Sequence, residues 1–109
     1  MTQAQKEKFS KKLLNLSKKG VLKWEDATPR NVNGALPTLK ARVGTNEIEI
    51  TITRMTSYDL FTVKINGYEL YVTDTSARLG GATDLVTMFE SWKTPPVAIE
   101  KVVNDILNM

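Results

Sequence analysis

Five lysines, Lys8, Lys11, Lys12, Lys18 and Lys19, fall within one arc of a helical wheel turned at 100° per residue, opposite Phe9, Leu13 and Leu16. Ammonium groups aligned in this way form a continuous cationic stripe. Such a stripe neutralises phosphates along a nucleic-acid backbone or faces an acidic protein surface. The charge is concentrated there. Residues 1–19 hold six lysines against the single acid Glu7, a local charge of +5 in a chain whose total is +3, so the remainder carries −2.

Other chemistry is narrowed by what the chain lacks. Serine and cysteine nucleophiles are activated by a neighbouring base, most often histidine, and the sequence contains neither histidine nor cysteine. General acid and base catalysis needs two carboxyls in different environments, and the candidates are Glu25 with Asp26 and Glu47 with Glu49. The expected strand pairing gives Glu49 cationic neighbours, places Glu47 in a loop and turns Glu25 and Asp26 to opposite sides, so both pairs read as structural. No segment approaches the oxygen density of a calcium-type loop. Arg78-Leu79-Gly80-Gly81 precedes a helix and could present backbone N–H groups to an anion, but Asp84 in the first turn repels one. The expectation is a protein that is not an enzyme and holds no metal or cofactor.

At 109 residues the chain matches one domain, and a domain of that size buries enough surface to fold without staples. Cysteine-free composition fits a reducing compartment, no apolar run reaches the ~20 residues of a membrane span, and the N-terminal lysines precede no signal-like segment. A cytoplasmic single α+β domain spanning residues 1–109 is therefore expected.

The lysines must be carried by an amphipathic helix from Gln3 to Lys19. Gly20 suits its left-handed terminus and Val21 the hydrophobic contact of that cap. Leu22-Lys23-Trp24-Glu25 alternates as a short strand, and a turn-rich run extends from Asp26 to Pro37. Four longer strands then form an antiparallel meander. Asn66-Gly67 is the signature of a two-residue hairpin, setting Ile65 opposite Tyr68, Val63 opposite Leu70 and Phe61 opposite Val72. A four-residue loop from Gly44 to Glu47 sets Val43 against Ile48, Ala41 against Ile50 and Leu39 against Ile52. A second loop, Met55 to Tyr58, sets Ile52, Ile50 and Ile48 beside Phe61, Val63 and Ile65.

In that register all twelve residues share one face, and Arg42, Glu49, Lys64 and Glu69 make a row of alternating charge on the other, with Arg54 opposite Asp59. The open face then carries Leu60 and Tyr71 as its apolar exceptions, a candidate contact patch for a protein. A helix over about 83–92 presents Leu85, Met88, Phe89 and Trp92; Thr94 and Pro95 open a last helix with Ile99, Val102, Val103, Ile106 and Leu107 on one side. The two C-terminal helices are expected to pack on one sheet face. Trp24 and Trp92 read as core, which leaves little aromatic surface for stacking bases.

Three roles suit this pattern. The first is a small binding or regulatory module that docks a protein partner through Leu60 and Tyr71. The second is a nucleic-acid-binding accessory protein using Lys8, Lys11, Lys12, Lys18 and Lys19. The third is an inhibitor encoded by a phage or other mobile element. The unpaired edges of the meander also suit a homodimer.

Overall fold

A computed structural model describes residues 1–30, 33–76, 81–93 and 103–109. The fold is α+β: helix α1 (Gln3–Lys18), strands β1 (Glu25–Asp26), β2 (Thr38–Val43), β3 (Asn46–Arg54), β4 (Asp59–Ile65) and β5 (Tyr68–Asp74), then helix α2 (Ala82–Lys93). The strands form one antiparallel sheet in sequence order, with β2 to β5 as a meander. No helix among the described residues is long and apolar enough to cross a membrane.

Helix α1 is closed at both ends by its own sequence. Thr2 and Gln5 form a reciprocal capping box, with Gln5 N–H donating to Thr2 Oγ1 at 3.2 Å and Thr2 N–H to Gln5 Oε1 at 2.8 Å. At the other end Gly20 turns left-handed (φ 75°), Gly20 N–H reaches Ser17 O and Val21 N–H reaches Leu16 O. This is the double bond of a Schellman stop. Val21 is 59% exposed, and the neighbouring Leu22 enters the core instead.

The β3–β4 register is the expected one throughout, from Ile48 beside Ile65 to Arg54 beside Asp59. The β2–β3 register differs by two residues: Val43 pairs with Asn46, Ala41 with Ile48 and Leu39 with Ile50. The connection is a two-residue turn, Gly44-Thr45, with Gly44 alone at positive φ (62°), as a type II′ hairpin requires. A shift of two keeps every side chain on its face. The charge row consequently starts with Lys40 in place of Arg42, running Lys40, Glu49, Lys64, Glu69. Glu47 lies within β3, where it pairs with Lys40 at 3.5 Å and Arg42 at 3.9 Å.

In β5 the expectation fails for a different reason. Ile65 faces Tyr68 and Lys64 faces Glu69, but an irregularity follows and Val63 faces Tyr71, Thr62 faces Val72 and Phe61 faces Thr73. Leu70 is the extra residue of a β-bulge, which reverses the inward and outward positions beyond it. Tyr71 and Thr73 are buried, at 3% and 6% exposure, where Leu70 and Val72 were expected. Of the twelve residues expected inside, Leu39, Ala41, Ile48, Ile50, Ile52, Phe61 and Val63 are buried, while Val43 and Tyr68, at the hairpin ends, are exposed.

The covering layer is α1 with α2. Leu13 and Leu14 of α1 and Leu85, Met88 and Phe89 of α2 join the sheet residues in one core, together with Leu22 and Trp24. The ring of Phe9 meets Tyr71 edge-on at 5.9 Å, and Phe61 meets Phe89 at 5.9 Å. Residues 103–107 are helical, and every residue from Val103 to Met109 is exposed, so the second cover comes from α1 and not from this segment. Thr94, Pro95, Ile99 and Val102 lie outside the described residues. Strand β1 begins at Glu25 and not at Leu22, and it pairs with β2. Strand β5 therefore forms the long edge, where the bulge and a bond from Lys6 Nζ to Val72 O (3.1 Å) interrupt its profile.

Candidate nucleic-acid interface

Two constraints fix the rotation of α1. Its apolar residues pull it toward the sheet, and two serines then set the angle. Ser10, which is wholly buried, shares a hydrogen bond with the Tyr71 hydroxyl. Ser17 donates to Leu13 O (2.7 Å) and accepts from Trp24 Nε1 (2.7 Å), while Trp92 Nε1 donates to Trp24 O (3.1 Å). Both tryptophans are thus held in the core by their polar edges as well as their rings. The buried face of α1 centres on Ser10, Leu13, Leu14 and Ser17, with Phe9 and Leu16 at its margin.

The opposite face carries Lys8, Lys11, Lys12, Lys18 and Lys19, and all five are exposed. With Asn15 they occupy an arc of about 120° and a length of about 16 Å. No acidic residue falls within that arc, and the ion pairs Lys40–Glu47, Arg42–Glu47 and Arg54–Asp59 lie on the sheet. Lys6 is excluded, since its ammonium turns inward to β5. Lys18 sits in the last turn, where the helix dipole favours a cation.

The stripe continues through a residue that the helical pattern does not single out. Lys23 is exposed and lines a groove with Lys18, and it also lines a second with Lys40, Arg42, Glu25 and Glu47. Its outward direction is already implicit in the alternation Leu22-Lys23-Trp24, whose two apolar members are buried.

The remaining candidates are dispersed. Leu60 stays on the open face, half-buried between Thr53 and Asp74, whereas Tyr71 lies on the opposite face under α1. The open-face patch of Leu60 with Tyr71 is therefore corrected: the bulge moves the ring inward. Burial pushes the Tyr71 phenol pKa up, with Asp84 adding to it and the Ser10 hydrogen bond opposing. Glu25 and Asp26 are both exposed, and Asp26 is held below the ordinary carboxylate value by hydrogen bonds from Thr28. Glu49 stands between Lys40 and Lys64. No three acidic residues converge as metal ligands among the described residues. Of the glycine-rich segment only Gly81 is described, packed against Ser10 and Lys6.

No family model matches the chain, and no curated protein or solved structure matches it either.

Proposed function

We propose that this protein is a non-enzymatic binding module that holds nucleic acid by its phosphate backbone, through the outer face of α1. The observation that carries this reading is the exposure of all five stripe lysines on a face that the core packing turns to solvent. A helix held rigidly at both caps and along its inner face presents those charges without first having to be ordered, which lowers the entropic cost of binding. The absence of exposed aromatics along the stripe suits contact with backbone and not with stacked bases. We place the protein in the cytoplasm, where a cysteine-free chain meets nucleic acid in a reducing medium. Docking of a protein through Leu60 and Tyr71 draws no comparable support, because Tyr71 is a core residue.

The test is a salt series of nucleic-acid binding by gel shift or anisotropy. Five phosphate contacts give a slope of log K against log salt of about −4.5 on duplex and about −3.5 on a single strand. Replacing Lys8, Lys11, Lys12, Lys18 and Lys19 together by serine removes binding, while arginine at the same positions retains it. Absence of binding at low salt by the natural chain overturns the reading.

A further inference from the structure

The cationic surface does not end with α1. Lys23 shares one groove with Lys18, at the end of the stripe, and a second groove, of about 360 Å³, with Lys40, Arg42, Glu25 and Glu47. Leu39 and Ala41 of β2 are buried under the helices, so the pleat turns Lys40 and Arg42 to the opposite, open face of the sheet. The short β1 pairs with β2 at Leu39 and Lys40, and the second groove opens just beyond, at Ala41 and Arg42. From Lys8 to Arg42 the cations therefore trace a path that starts on the outer side of the helical layer and turns over the edge of the sheet to its far side.

Carboxylates stand on the last part of that path. Glu47 lies 3.5 Å from Lys40 and 3.9 Å from Arg42, beyond the ~2.7–2.9 Å of a close charged hydrogen bond, and Lys40 has Glu25 and Glu49 as its register neighbours. Arg42, whose side chain is 77% exposed, is the freer of the two cations. Exposed ion pairs are weak, so a phosphate can take the place of Glu47 on both.

Granting the stripe its phosphate contacts, on which this step rests, we infer that the chain takes single-stranded nucleic acid in preference to duplex, the strand following α1 and turning over the sheet edge onto Lys23, Lys40 and Arg42. A duplex cannot make that turn. It stays nearly straight over ~500 Å, whereas the whole molecule is 52 Å in its longest dimension. On a duplex the stripe alone makes contact. A single strand bends between nucleotides, and a charged groove that tracks its backbone is the usual way of holding one.

The test compares the salt dependence of binding to oligothymidylate and to a mixed-sequence duplex of equal length. Each contact contributes about −0.9 to the slope on duplex and about −0.7 on a single strand, so the same contacts give the single strand the shallower slope. Three further contacts reverse that order, to about −5.6 on the single strand against about −4.5 on the duplex. Replacing Lys23, Lys40 and Arg42 together by serine should return the single-strand slope to about −3.5 and leave duplex binding unchanged, which also shows that the variant is folded. Glu47→Gln should strengthen single-strand binding about two- to fivefold without a matching gain on duplex. A natural chain with the shallower slope on the single strand overturns the inference and leaves the reading of the stripe standing. So does a serine variant that keeps the steep slope, or a Glu47→Gln variant that treats both ligands alike. Failure of the natural chain to bind either ligand at low salt removes the reading of the stripe first, and this inference with it.

Discussion

The two faces of α1 are built by opposite rules. On the inner face each side chain has a specific partner: Ser10 has the Tyr71 hydroxyl, Phe9 has its ring, Ser17 has Trp24, and Leu13 and Leu14 have the common core. On the outer face the five lysines are exposed. The inner face should be sensitive in stability and indifferent to ligands, and the outer face the reverse. Close packing makes a buried position costly to alter, whereas an exposed position away from special features usually changes stability by less than ~0.5 kcal/mol.

Measurements of decreasing size can break that contrast. Leu13→Ala removes a side chain that is 2% exposed and should cost about 2–5 kcal/mol in urea unfolding. Gly81→Ala comes next, at roughly 2–4 kcal/mol, because Gly81 sits at φ 80° and an added Cβ would land on the Ser10 side chain, with Lys6 O 3.2 Å away. In a Ser10→Gly background the same change should cost less, and an undiminished cost would show that the clash is not the cause. Tyr71→Phe leaves the buried Ser10 hydroxyl without its partner, which should cost about 1–3 kcal/mol.

The same phenol gives a smaller, pH-dependent effect. Its pKa is raised in the folded protein, chiefly by burial, so the unfolded chain releases the proton first, near the ordinary tyrosine value of about 10. Above that pH the folded state binds more protons than the unfolded state, and stability falls as pH rises. Below it the contribution is fully present. Denaturant midpoints measured across this alkaline range should decline for the natural chain, and Tyr71→Phe should lose that part of the decline. Smallest in stability is the fivefold lysine-to-serine variant, expected to hold its thermal midpoint within a few degrees while losing nucleic acid. A large loss of stability there would erase the distinction between the faces.

The unequal legibility of the sequence has the same origin. The β3–β4 register could be read because two independent signals agree: Ile48, Ile50 and Ile52 face Ile65, Val63 and Phe61, and Arg54 meets Asp59 on the other side. For β2–β3 the pattern fixed the face but not the offset, since a two-residue slip preserves alternation, and the Gly44-Thr45 turn set the offset. In β5 alternation itself misled. Leu70 and Val72 look like inward residues, yet α1 offers a serine hydroxyl and a phenyl edge above the position that Tyr71 takes, and an edge strand accommodates a bulge more readily than a central one. Ser10 and Ser17 give no sign of their burial in the sequence for a related reason: a hydroxyl on an amphipathic helix reads as polar whether or not it meets a buried partner. The lysine stripe was legible because a solvated face needs no partner. Lys23 lies beyond the helix, so no helical wheel includes it, and only the groove it shares with Lys18 places it beside the stripe.

The bulge at Leu70 also bears on how this segment tolerates change in length. The side chain at 70 is half-buried, so most substitutions there should be mild. The residue itself is also dispensable to the pairing, because the bulge is where the ladder absorbs it. Deleting Leu70 would join the Lys64–Glu69 pair directly to Val63–Tyr71 and leave Val72 opposite Thr62, Thr73 opposite Phe61 and Tyr71 on its serine. A library of single-residue deletions should mark position 70 as tolerant, and a deletion between Tyr71 and Asp74, which exchanges inward and outward side chains, as damaging.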